Sequence, residues 1–518
     1  MRMERIYIYL LLILILGIVI RVLIFSKITQ IIGTDAVRYA IVAHSMFLKQ
    51  EITTDSRPYD MSYSFFYFPI SFVLPLILEL MNINPISSIT YFSLFFNIMS
   101  ILAFYLFVNL LLDKKQALYA TFFYSLFYDV SLDYLMARGV FAYSIGFYGL
   151  FLMLYGILKI HGGEKDKKLI FFPALFLLLV HWYHFFVILA LIFSLAMHEF
   201  INENSFRKTK DVIIKLLGLL PFLLIALLPF LILFIPKYFE IQKIWKLADW
   251  RMYEIYYENL SMIGKLYGMI FKSFASIVSG VTYSLGFFVT LLVSKMIVEK
   301  SKMFLLFLFV FLFISSYFYI PSITWKRNVD YMKLIYPISF SLVFDNPIIV
   351  GISLILSPYI PNTPSWYFYM VPEKLDKEAA AFFDVVSEEE LKAFEFIRKN
   401  TPINATFILD GGGAGCVGGQ TFSHGERIFP LTSRKVFYFT NFCPGLFDLR
   451  EYQERVDLYR ELAIEPNNES TIMKLKKYNV THVYIGPAHI GLNPELFIMS
   501  RNYKLIFHEN NTYVFEIK

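Results

Sequence analysis

Apolar residues fall along this chain in long blocks separated by short basic or polar turns. The first block runs from Ile6 to Phe25 with Arg21 as its only charge, which is the length a helix needs to cross a bilayer. No small-residue cleavage site follows it, so it reads as an uncleaved first span rather than a signal peptide. Further blocks at 88–112, 116–130, 139–160, 169–199, 212–236, 273–297, 303–320, 331–344 and 347–360 read as spans. The block 169–199 is too long for one crossing and divides at His181-Trp182-Tyr183-His184 into two short helices. The last pair turns at Asp345-Asn346-Pro347, a natural breaker.

The turns carry basic clusters at Arg2/Arg5, Lys114/Lys115, Lys165/Lys167/Lys168, Arg207/Lys208/Lys210 and Lys295/Lys300/Lys302. Short basic loops face the cytoplasm. This decides the block 64–81, which contains Pro69, Pro75 and Glu79. A crossing there would throw Lys114 and Lys115 outside, so the block is expected to lie flat as a juxtamembrane helix. The pattern predicts about eleven transmembrane helices with the N-terminus inside. A second juxtamembrane helix is expected over 35–48, after the first span. Its Asp35, Arg38 and Tyr39 recur at i, i+3 and i+4 and so share one face, read as turned to water.

From about residue 362 the pattern changes. Ser387 precedes Glu390 by three residues, a capping box that opens the helix SEEELKAFEFIRKN. TFILD (406–410) and HVYIG (482–486) read as buried strands and STIMKLKKYN as a helix between them. The chain closes on a hairpin turned at Asn510-Asn511. The fold class is therefore a polytopic α-helical membrane protein with a C-terminal extracytoplasmic α/β domain. Residues 1–361 form the transmembrane domain and 362–518 the soluble one. Four Asn-x-Ser/Thr triplets, at Asn404, Asn468, Asn479 and Asn510, suit an external face.

Composition agrees with the pattern: of 518 residues, 57% are hydrophobic and 19% aromatic, far above a soluble protein. The net charge of +6 is unevenly spread. Residues 362–518 hold 17 Lys+Arg against 20 Asp+Glu, leaving 30 against 21 in the first 361. Basic residues beside spans report orientation, so no nucleic-acid partner is implied. The two cysteines, Cys416 and Cys443, both lie in the tail and suit either an external disulfide or two idle thiols; the disulfide is the expectation.

Arg21 near the end of the first span, a short linker and then GTDAVRYAIVAHSM (33–46) resemble the opening of the GT-C membrane glycosyltransferases, such as the aminoarabinose and protein mannosyl transferases. The likeness is clearest over residues 15–80. It implies a membrane-embedded enzyme that takes a sugar from a polyprenyl (dolichyl-type) phosphate donor and passes it to a lipid, glycan or protein acceptor outside the cytoplasm. It also implies that Asp35 is the catalytic carboxylate of the first loop, the base that takes the acceptor's proton, with Arg38 and Tyr39 beside the substrate. The chain has Asp35-Ala36 where the family has Asp-Glu.

Asp133, in the loop that also carries Asp129 and Arg138, faces the same compartment and is the candidate for the second carboxylate. With Asp35 it would bind a divalent metal, Mg or Mn, since hard cations take oxygen ligands. Arg138, His181 and His184 are candidate substrate contacts at the outer surface. Lys326 and Arg327 break the positive-inside pattern, and a guanidinium meets a phosphate in bidentate geometry. The family often places an arginine in a similar late loop, which favours Arg327 as the phosphate partner.

Two rivals differ in what the sequence should contain. Oligosaccharyl transfer to asparagine calls for a Trp-Trp-Asp-Tyr-Gly-type motif, which the tail lacks. A transporter or lipid flippase calls for inverted repeats or paired broken helices, and no halves match.

Overall fold

The computed structural model describes residues 3–27, 34–50, 70–126, 141–180, 206–247, 387–410, 427–437, 449–487 and 491–518, with scattered helical positions within 188–200 and at Ile338 and Ser341. The membrane side begins with α1 (Met3–Lys27), α2 (Thr34–Lys49), α3 (Ile70–Leu80) and α4 (Pro85–Leu111). It continues with α5 (Lys114–Leu126), α6 (Phe141–His161), α7 (Lys168–Val180) and α8 (Arg207–Leu247). Among the described residues three stretches are long and apolar enough to cross a bilayer, Arg5–Val22, Pro85–Leu111 and Arg207–Leu228. Ile145–His161 and Lys168–Val180 are shorter apolar helices. The expected spans at 273–297, 303–320, 331–344 and 347–360 lie outside the described residues, apart from Ile338 and Ser341.

Helix α3 is described over Ile70–Leu80 and α7 over Lys168–Val180; residues 64–69 and the expected break at 181–184 lie outside the described residues. One boundary differs from the sequence pattern. Helix α8 runs for 41 residues, so positions 237–247, expected as the start of a loop, are helical. No glycine or proline interrupts 237–247, and Tyr238, Ile241 and Trp245 recur at helical spacing.

Arg21 is fully buried between α1, α4 and α5. Its Nε donates to Asn97 Oδ1 at 2.5 Å, and Nη1 donates to the carbonyls of Gly17 at 3.1 Å and Ser125 at 3.0 Å. The sequence thus places a charge in an apolar span because the fold supplies acceptors from two neighbouring helices. Beside it Phe104, Tyr124 and Phe151 lock α4, α5 and α6 together, with ring centroids 4.4 to 5.5 Å apart. Such pairs add about 0.5–1.5 kcal/mol each beyond burial.

Helices α6 and α7 come close at Gly156, where an added Cβ would run into the Leu169 carbonyl. Small residues let helices in a bilayer come this near. Gly156→Ala is therefore expected to lower stability by about 1–3 kcal/mol through overpacking against backbone. Thermal unfolding in detergent checks this, with Gly218→Ala, whose Cβ meets nothing within 4 Å, as the control.

The C-terminal unit contains α9 (Glu388–Asn400), β1 (Thr406–Leu409), α10 (Ile428–Thr432), β2 (Lys435–Val436), α11 (Leu449–Ile464) and α12 (Glu469–Lys477). It ends with β3 (His482–Ile485), α13 (Pro494–Ile498), β4 (Tyr503–Glu509) and β5 (Thr512–Ile517). The five strands are ordered β2-β1-β3-β5-β4, the first three parallel and the closing hairpin antiparallel. Strands β1 and β3 are buried along their whole length. The capping box at Ser387 and Glu390 is formed as the sequence predicts.

Three of the four sequon asparagines have local structural roles. Asn468 caps α12, and Asn479 and Asn510 adopt positive φ angles of 57° and 50° at turns. Asparagine tolerates the left-handed region better than most residues, so these triplets also satisfy the demands of helix and turn ends.

On β3, His482 is 4% exposed, stacks on Phe407 at 4.8 Å, and shares a hydrogen bond of 2.7 Å with the Thr481 hydroxyl through Nδ1. Burial pulls its pKa down to about 4, against the smaller opposing pull of Glu516. The unfolded chain therefore takes up a proton near pH 6.5 that the folded chain refuses until about pH 4. This stability is fully present above pH 6.5 and is lost as pH falls through that window. It amounts to on the order of 3 kcal/mol. His482→Gln is expected to flatten the pH dependence of unfolding between about 6.5 and 4, read by denaturation of the full chain across that range.

Candidate functional site

Helix α2 lies at the junction of the two parts of the protein. The sequence pattern suggested a helix at the water surface, yet Tyr39, Ala40, Ile41, Val42 and Ala43 are all 0% exposed. Tyr39, expected on a water-facing side with Asp35 and Arg38, is therefore buried. The physical reason is tertiary: α2 is covered by α3 and α4 on the membrane side and by α10 of the C-terminal unit. One apolar cluster runs from Tyr39–Ala43 and Met46 through Ile86, Ile89 and Phe429 to Phe407, Ile408 and Val483 in the sheet.

A polar contact is set into this apolar junction. His44 Nδ1 lies 2.5 Å from Glu79 Oε1 near the end of α3, and its Nε2 lies 2.9 Å from the hydroxyl of Ser433. Both His44 and Glu79 are 7% exposed. Phe429 meets the imidazole edge-on at 5.2 Å and Phe47 stacks at 6.4 Å. Ser433 caps α10 in the left-handed region at φ 63°.

The next residue, Arg434, anchors that cap. Its guanidinium donates to the carbonyls of Thr432 and Thr401 at 2.5 Å and of Arg398 at 2.8 Å, and its Nε donates to the Thr401 hydroxyl at 3.2 Å. A cation at the carbonyl end of α9 is favourable for the helix dipole. Burial, and to a lesser degree the nearby Arg398, hold the Arg434 pKa below the usual arginine range.

A second polar group lies at the carboxyl edges of β1 and β3. The Tyr484 hydroxyl donates to Glu390 Oε1 at 3.2 Å, and burial followed by the Glu390 charge pushes the phenol well above its ordinary pKa. Asp410 Oδ1 accepts the Gly491 and Leu492 N–H groups at 2.8 and 2.9 Å. Glu390 is also the return half of the α9 capping box. These contacts tie helix and loop ends to the sheet.

Positions 35 and 38 fall in the first turns of α2; the side chains of Asp35 and Arg38 lie outside the described residues. So do Asp129, Asp133, Arg138, His181, His184, Lys326, Arg327, Cys416 and Cys443. The described residues contain no group of three or more His, Cys, Asp or Glu able to hold a metal ion. The sequence pattern singles out neither His44 nor Ser433, and Glu79 only as a charge against a crossing. A lone acid in an apolar block with a histidine in the preceding helix was the available signal.

No protein-family model matches the chain, and no curated protein matches it in sequence. Solved structures do. The Archaeoglobus fulgidus oligosaccharyltransferase in complex with Zn and sulfate is similar over 97% of this chain and 72% of its own, at a TM-score of 0.51 and 14% identity. The archaeal oligosaccharyltransferase AglB from Archaeoglobus fulgidus, with an inhibitory peptide and a dolichol-phosphate, is similar over 98% and 74%, at 0.50 and 12%. ArnT from Cupriavidus metallidurans bound to undecaprenyl phosphate aligns over 97% of both chains at 0.39 and 9%.

Proposed function

We propose that this chain, which has the fold of the GT-C membrane glycosyltransferases, transfers a sugar from a polyprenyl-phosphate carrier to an acceptor on the extracytoplasmic side. The observation that carries this reading is the likeness in fold, over nearly the whole chain, to an oligosaccharyltransferase whose structure holds a dolichol-phosphate. The same reading assigns about eleven membrane crossings, with the N-terminus in the cytoplasm and residues 362–518 outside.

The chemistry is inverting displacement. The Asp35 carboxylate takes the proton of an acceptor hydroxyl. The hydroxyl oxygen bonds to the anomeric carbon as the bond from that carbon to the phosphate oxygen breaks. The lipid phosphate leaves with the electron pair, and Arg327, aided by Lys326, balances its charge. Arg38, Arg138, His181 and His184 would contact donor or acceptor, whereas Tyr39, fully buried, would serve the packing of α2. Asp35 and Asp133 would hold a divalent ion, which would supply charge at the phosphate.

The acceptor is left open, since the tail lacks the Trp-Trp-Asp-Tyr-Gly-type motif of asparagine transfer. Incubating the purified, lipid-reconstituted protein with a panel of labelled polyprenyl-phosphate sugars tests the assignment. Release of free lipid phosphate with transfer of label supports it. Transport of lipid across the bilayer without cleavage of any donor would replace it with a flippase.

A further inference from the structure

We infer that His44 is a positioning residue that clamps α2 to α3 and to the C-terminal unit together, so that the docked C-terminal unit sets the seat of the helix whose first turn carries position 35. The inference rests on the glycosyltransferase reading only for its consequence in turnover; the clamp itself stands on geometry.

His44 joins three segments distant in sequence: Glu79 lies 35 residues away and Ser433 lies 389 away. Both ring nitrogens are engaged. With Nδ1–H donating to Glu79, Nε2 accepts from the Ser433 hydroxyl when the imidazole is neutral and donates to it when charged. A hydroxyl does both, so the clamp survives either protonation state.

The partners are mounted rigidly. Arg434 fixes the residue after Ser433 to the end of α9, and Phe429 packs on the imidazole from the same short helix. Glu79 depends on the histidine as well. Its second oxygen, Oε2, is buried with no hydrogen-bond partner among the described residues, and an unpaired buried carboxylate is costly. Ser433 holds a left-handed backbone, at φ 63°, that glycine would adopt without strain. A serine there gives up some local backbone ease and places a hydroxyl on His44, and residues held in such regions often mark functional contacts.

That conformation supplies the test. Ser433→Gly relieves the backbone while deleting the hydroxyl, so a purely local role predicts unchanged or slower opening of the α10 region. His44→Asn keeps a donor near the Nδ1 position for Glu79 but does not reach Ser433. Hydrogen–deuterium exchange is read on the full chain in nanodiscs, for peptides covering 39–46 and 428–437, with 482–485 as the internal reference.

Each single variant is expected to speed exchange of both junction peptides by about tenfold, the factor one net hydrogen bond carries. The reference peptide should be unmoved and the double variant no worse than either single. Exchange at wild-type rates in Ser433→Gly, or additive effects in the double variant, would overturn the clamp. In the transfer assay the same variants should lower kcat more than they raise KM for the donor, and His44→Gln, which reaches Ser433 through its amide, should recover part of the loss. If exchange loosens as stated while wild type transfers no sugar, the clamp is supported and the glycosyltransferase reading falls. If wild type transfers sugar and exchange is unmoved, only the clamp falls.

Discussion

Asp35→Asn should reduce sugar transfer by about a hundredfold or more while donor binding persists, the usual loss when a general base is removed. Asparagine keeps the size and much of the hydrogen bonding of the carboxylate but takes no proton. Arg327→Ala should act in the other sense and weaken binding of the polyprenyl-phosphate donor, because it removes a phosphate partner and leaves the base in place. Single-turnover kinetics together with donor titration separate the two. Asp55→Asn, a change in the same loop at a residue with no assigned role, is the control. If Asp35→Asn transfers sugar as fast as that control, the base assignment fails and Asp133 takes its place.

The second large effect is expected in the membrane. Asn97→Leu removes the acceptor of Arg21 Nε inside a fully buried site, and should lower stability by about 3 kcal/mol because a charged donor is left without that acceptor in an apolar surround. Replacing both, Arg21→Met with Asn97→Leu, should recover most of the loss, since the charge that needed pairing has gone. Unfolding in a detergent titration of the two single variants and the double measures the coupling. Equal losses in Asn97→Leu and in the double variant would show that the contact carries no weight.

Much of the local structure was legible. The capping box at Ser387, the buried strands at 406–409 and 482–485 and the turn at Asn510 each follow from short-range rules of hydrogen bonding and backbone geometry. Helix α8 was less legible at its end, since charged and aromatic residues over 237–247 resemble a loop in composition while keeping helical spacing.

The burial of α2 was not legible, and the reason is specific. Periodicity places Asp35, Arg38 and Tyr39 on one side of a helix, but it does not report what covers that helix. Sequence by itself determined that this is a membrane protein, where many of its helices and strands begin and end, and that an acid follows the first span. Tertiary structure alone decided that Tyr39–Met46 is enclosed, that Arg21 finds acceptors on two other helices, and that His44 meets Glu79 and Ser433. These contacts join residues tens to hundreds of positions apart, and local propensity and hydrophobic period carry no information on such pairings.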